Sequence, residues 1–327
     1  MIALLSRHTF DLTQFREQRT REPMGRTIMM LFMGAVVWGC STSSHPESEP
    51  PPPSPSVPES GVCASKEDRV ALEGQWAVRM ELEVEGSERP DAWVTLCPEN
   101  PQVGTAIAWM KLDYASEPKA GETAHNATIC ALELPIVTAS LASCPQDPST
   151  YLEVSITLGD AFRDYLPAVS LPGITYAAIE TPQGAFRTSG IDFRGGQLNA
   201  DDDSDDHPGV TLDFTTGGAA PAIAGSIYTN FELLAELRGQ IRNPHCIEGG
   251  AQASFDYEVI ETDIMLWGET PFSKEEAVKN IPLLRVLDSS TFRALRANGS
   301  GSYDFDDDKD GSVSCGEIAA HASLFSR

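Results

Sequence analysis

The strongest constraint on this chain is a period-two alternation that recurs through most of its length. Between Gln75 and Glu85, Trp76, Val78, Met80, Leu82 and Val84 fall on one face, and Gln75, Arg79, Glu81, Glu83 and Glu85 on the other. Successive side chains of a strand point to opposite faces, so this pattern predicts a half-buried β-strand. Leu152, Val154, Ile156 and Leu158 repeat it, as do Val210, Leu212 and Phe214, and then Phe255, Tyr257 and Val259. Further strands are predicted at 92–97, 104–113, 127–134, 174–180, 186–194 and 225–238, with Gly, Pro, Asn and Asp between most of them. About ten strands without repeated crossover helices specify a mainly β protein, an antiparallel β-sandwich or barrel. Short helices are expected only late in the chain. Ser273 and Glu276 form a capping box before a helix ending near Asn280, and Asp288 caps a second over about 289–297.

The chain has 23 Lys plus Arg against 48 Asp plus Glu, a formal net charge of −25. A surface of that sign repels phosphate, which excludes nucleic acid as an expected partner. The longest apolar run, Ile28–Trp38, is too short to span a bilayer as a helix, follows Arg26, and ends in Gly39-Cys40. A positive start, a short apolar stretch and a small residue before a cysteine resemble a bacterial lipoprotein lipobox over residues 24–40. That resemblance implies translation from Met24, removal of residues 1–39, and lipidation of Cys40. The mature protein would sit in the cell envelope as an outer-membrane lipoprotein, touching the membrane through its acyl anchor. Residues 41–62 are rich in Pro and Ser, cannot bury a core, and read with Cys40 as a linker over 40–62. The β-rich body follows over 63–290 and a C-terminal segment over 291–327.

The seven cysteines are Cys40, Cys63, Cys97, Cys130, Cys144, Cys246 and Cys315. With Cys40 lipidated, the remaining even number suits disulfides in an exported protein. Cys130 and Cys144 flank a predicted strand–turn–strand and form the best single pair by sequence.

The sharpest chemical feature is Asp306-Asp-Asp-Lys-Asp-Gly-Ser-Val-Ser-Cys-Gly-Glu317. It resembles an EF-hand calcium loop at each position that matters. Ca²⁺ takes six to eight oxygen ligands, which alternate acids on a tightly curled loop supply. The resemblance assigns Asp306, Asp308 and Asp310 to loop positions 1, 3 and 5, with Gly311 at the sharp turn. It gives Ser312 a backbone carbonyl ligand, Ser314 a water-mediated one, and Glu317 the bidentate carboxylate. The helix after Glu317 would run to about Leu324. Asn298–Ser302 breaks the helix that would enter an EF-hand, which favours a static site. A second run, Asp201–Asp206, offers Asp201, Asp203 and Asp205 at the same spacing, with Asp213 one residue late for closure. It resembles the looser Asp-rich calcium turns of secreted adhesion proteins, and reads equally as a solvated loop between strands. His207 reads as a loop residue, because imidazole suits softer metals.

Gly74-Gln75-Trp76 at the start of the first strand resembles the lipocalin motif, which implies a barrel carrying a small apolar ligand. The motifs of serine hydrolases, zinc proteases, phosphate-binding loops and dinucleotide folds do not occur in the sequence. The leading expectation is a calcium-binding, lipid-anchored envelope protein with a structural or binding β-body. A lipocalin-like carrier is the alternative, and a hydrolase with an unrecognised site stands third.

Overall fold

A computed structural model describes residues 72–97, 102–114, 123–141, 143–177, 185–189, 191–218, 221–298 and 303–326. Cys40 and the segments read as signal and linker lie outside the described residues. The chain is mainly β and antiparallel, as the alternation requires. The strands are β1 (Gly74–Ser87), β2 (Thr95–Leu96), β3 (Gln102–Tyr114), β4 (Thr123–Glu133), β5 (Val137–Ser140), β6 (Leu152–Leu158), β7 (Leu171–Ala177) and β8 (Ala185–Ser189). They continue as β9 (Ile191–Gly195), β10 (Val210–Thr216), β11 (Ile223–Asn243), β12 (Cys246–Thr262), β13 (Met265–Leu266), β14 (Thr270–Pro271), β15 (Leu283–Val286) and β16 (Thr291–Arg296). Three short helices accompany them: α1 (Asp160–Tyr165), α2 (Lys274–Asn280) and α3 (Cys315–Ala320).

The pairings β1–β3–β4–β7–β8–β11–β12–β16 return to β1, so eight strands close on themselves as in a barrel. Closure removes sheet edges, which would otherwise template pairing with other chains. An arm leaves this ring at β11, where β10 pairs with its first half, followed by β6, β5 and β2. The long β11–β12 hairpin is common to ring and arm. One continuous apolar cluster fills the inside of both. All five inward residues predicted on β1, Trp76, Val78, Met80, Leu82 and Val84, are at most 1% exposed. Among the described residues, apolar spaces of about 50 Å³ around Phe214 and Phe272 and about 20 Å³ around Phe231 and Tyr257 lie within this cluster. Both are far below the ~300 Å³ at which small-molecule sites begin.

Two expectations are corrected. Residues 289–297 do not form a helix; Thr291–Arg296 is β16, inserted between β1 and β12. Ala, Leu and Arg favour helix in isolation, but Phe292 and Ala294 face the barrel interior while Leu295 packs on its outer wall. Tertiary pairing overrides a propensity of a few tenths of a kcal/mol per residue. The second correction concerns Cys130, which pairs with Cys315, while Cys144 pairs with Cys97. Trp109 lies opposite Ala131 and Met110 opposite Ile129, so Cys130 is the extra residue of a β-bulge. It joins the C-terminal segment on the outer wall. The capping box at Ser273 and Glu276 is present, and α2 ends at Asn280 as expected.

Among the described residues, no helix is long and apolar enough to cross a membrane.

Candidate metal centre

The C-terminal segment packs on the outside of the barrel, not inside it. Phe305, Val313, Ile318 and Phe325 are buried against Ala77 of β1, Leu295 of β16 and Cys246 of β12. This explains why Ala77, on the nominally polar face of β1, is fully buried. Tyr303 donates its N–H to Arg296 O at 3.2 Å and Phe305 to Ala297 O at 2.9 Å, so the chain enters the loop hydrogen-bonded alongside the end of β16. The entry is not helical, as the Asn298–Ser302 break implies. The Cys130–Cys315 disulfide fastens the far end to β4 across 185 residues of sequence.

Between these two anchors the loop Asp306–Glu317 folds around its own carboxylates. Asp306 Oδ1 accepts the Asp310 N–H at 3.1 Å, and its Oδ2 accepts that of Gly311 at 2.9 Å. Asp308 Oδ1 also accepts from Asp310 N at 3.1 Å, and Asp310 Oδ1 accepts from Ser312 N at 2.7 Å. Gly311 adopts φ +89°, the left-handed conformation its loop position demands. Glu317 closes the loop: Oε1 accepts the Asp307 N–H at 2.7 Å, and Oε2 accepts the N–H and hydroxyl of Ser314 at 2.7 and 2.8 Å. These bonds, the Ser314 backbone first, hold the Glu317 carboxyl down at about 2. Ser314 also caps α3, accepting from Glu317 N at 3.2 Å.

One carboxylate oxygen from each of Asp306, Asp308 and Glu317 lies within 4.8 Å of the others. Asp306 is buried, at 8% exposure, and Val313 is completely buried. All the donors are hard oxygens, a set that suits a cation such as Ca²⁺ better than a softer metal. Asp310 stands outside this converging group, turned to the Ser312 N–H, and Ser312 Oγ accepts from Gln75 Nε2 at 3.4 Å. Outside the loop, Lys309 pairs with Asp304 at 2.8 Å, and His321 Nε2 lies 3.0 Å from Asp307 Oδ1.

Sequence reasoning missed the residues that seat the loop. Gln75 Oε1 accepts the Val313 N–H at 2.8 Å and is itself held by Asn298 Nδ2 at 2.9 Å. Only the outward position of a neutral amide on a mostly charged face of β1 could have pointed to it.

The second acidic run lies between β9 and β10. It repeats the bonds that the first and third aspartates make in the C-terminal loop, but Asp203, unlike Asp308, accepts from Thr211 N and not from the position-5 N–H. Asp201 Oδ1 and Oδ2 accept from Asp205 N and Asp206 N, each at 3.1 Å, and Asp205 Oδ1 accepts from His207 N at 2.9 Å. Ser204 and Asp206 have φ of +63° and +71°, matching +60° at Lys309 and +89° at Gly311. Oxygens of Asp201, Asp203 and Asp205 converge within 4.8 Å. Asp213 is not among them; its carboxylate takes the Ser226 hydroxyl. The His207 ring stacks on Tyr228, with centroids 4.0 Å apart, and Tyr228 donates its hydroxyl to Asp263 at 3.1 Å.

Compared with protein-family models, with curated proteins and with solved structures, the chain matches none of them.

Proposed function

We propose that this chain is a calcium-binding, lipid-anchored cell-envelope protein in which the cation fixes the C-terminal segment to the outer wall of a β-barrel-like body. The observation that carries this reading is the convergence of Asp306, Asp308 and Glu317 within 4.8 Å on a loop pinned at Gln75 and Cys130. Like charges brought that close repel, and a divalent cation offsets the repulsion. The two fixed ends reduce the ordering cost of closing the loop around an ion. With no helix entering the loop, opening of the kind used by calcium sensors is not expected, and the ion acts as a structural clasp. Extracellular calcium modules bind at ~10⁻⁴–10⁻³ M, a range matched to such a role outside the cell. Export, cleavage and lipidation at Cys40 complete the proposal and rest on the sequence.

The filled interior favours this reading over an apolar-ligand carrier, since the spaces around Phe214 and Phe231 would each need to grow several-fold.

At 1 mM free Ca²⁺ and a Kd of ~10⁻⁴–10⁻³ M the clasp adds about 0.4–1.4 kcal/mol, or roughly 1–5 °C in melting temperature. Thermal unfolding of the chain with millimolar Ca²⁺ and with chelator tests this. The rise is expected to shrink when Asp306→Ala and Glu317→Ala are combined, and identical melting curves in calcium and chelator would refute the proposal.

A further inference from the structure

We propose that the loop Asp201–Thr211 is a second and independent calcium site, with Asp201, Asp203 and Asp205 as its carboxylate ligands and Asp213 taking no part. The observation that separates it from an ordinary acidic turn is Asp203. That side chain is only 7% exposed, and its Oδ1 is buried with no hydrogen-bond partner. Its other oxygen accepts the Thr211 N–H at 3.1 Å, so the carboxylate is fixed. A buried carboxylate oxygen without a donor is costly, and native interiors leave few such groups unexplained. Here the carboxylate belongs to a group whose three oxygens converge within 4.8 Å. Among the described residues, no arginine or lysine forms an ion pair with Asp201, Asp203 or Asp205. A hard divalent cation supplies the missing charge and the missing partner together.

The surroundings make the site rigid. Asp202 accepts the Gly196 N–H at 2.6 Å, and Asp205 accepts the Thr211 hydroxyl. Gly209 lies so close to β11 that an added Cβ would stand 2.4 Å from Thr229 O. The loop is thus tied to the end of β9, the start of β10 and the first third of β11. With three carboxylates and no closing glutamate (Leu212 occupies that position), calcium would complete its shell with backbone carbonyl and water. Fewer charged ligands imply weaker binding than in the C-terminal loop.

Equilibrium dialysis of the full chain against Ca²⁺, after stripping with chelator, tests the inference and keeps it separate from the C-terminal site. Wild type is expected to bind two ions. Asp308→Asn, which retains an acceptor for Asp310 N, should disable the C-terminal loop and leave one ion. Adding Asp203→Asn, which retains the acceptor for Thr211 N, should abolish that remaining binding. Asp201→Asn should act in the same way, with circular dichroism confirming that each variant is folded. Loss of all binding in Asp308→Asn alone would overturn the second site. So would a double variant that binds as much calcium as Asp308→Asn.

Discussion

The two aspartate loops share the turn made by their first and third aspartates, and differ at the second aspartate and after the seventh position. In both, the first aspartate takes the N–H groups of positions 5 and 6, and the third takes that of position 7. From there the C-terminal loop continues through buried Val313 into a capped helix whose Glu317 returns to the loop. The Asp201 loop runs through Pro208 and Gly209 directly into β10, and Leu212 stands where the glutamate would be. One loop is an appendage clamped onto the barrel wall by a disulfide and a small apolar cluster. The other is embedded in the sheet, with Asp203 buried. A short acidic motif therefore fixes local backbone geometry, while its context decides how the site closes and what holds it in place.

The comparison is broken most strongly by cutting the appendage loose. Replacing Cys130 and Cys315 by alanine removes a 185-residue covalent loop, and a loss of about 4 kcal/mol is expected in denaturant unfolding. Hydrogen exchange should show the 303–326 amides losing protection while those around Thr211 keep it. Next in size is a pair of glycine substitutions. Gly209→Ala would force a Cβ to 2.4 Å from Thr229 O in a backbone at φ +94°, with an expected cost of roughly 3 kcal/mol. Gly311→Ala meets open space at φ +89° and should cost only about 1–2 kcal/mol, from conformation alone. Equal costs for the two would contradict the embedded-versus-appended distinction.

The smallest effects concern pH, measured in chelator, and here the loops should differ in sign. Burial first, then the neighbouring Asp205, raises the Asp203 carboxyl to about 6 from an ordinary 3.8, although the Thr211 N–H works against the shift. The folded state therefore binds this proton more tightly than the unfolded chain, and stability should rise as pH falls from about 6 towards 4. Glu317, held at about 2 against an ordinary 4.5 by the Ser314 hydrogen bonds, does the opposite. Its contribution is complete above pH 4.5 and is lost as pH falls towards 2. Urea midpoints across pH should lose the upper trend in Asp203→Asn and the lower one in Glu317→Gln.

Much of this arrangement is legible in the sequence, and the remainder is hidden for physical reasons. Alternation locates β1, β6 and β10 because each has one face inside and one outside. The capping box finds α2 because capping is a contact between residues three apart. The strand at Thr291–Arg296 reads as helix because its identity depends on partners more than 40 residues away in β12 and more than 200 away in β1. The Cys130–Cys315 pairing is hidden for the same reason. The predicted metal residues divide along similar lines. Asp306, Asp308 and Glu317 converge, whereas Asp310 and Asp213 stand outside the converging groups. The clamp at Gln75 and the burial of Asp203 are set by how the loops meet the sheet, which spacing along the chain does not encode.

The central claim is that the C-terminal carboxylates close around calcium. Isothermal titration of the chelator-stripped full chain with millimolar Ca²⁺ tests it most directly. A saturable heat is expected, with a component that Asp308→Asn removes and that falls at Kd ~10⁻⁴–10⁻³ M. A titration with no saturable heat in wild type, or one unchanged by Asp308→Asn, would contradict the account.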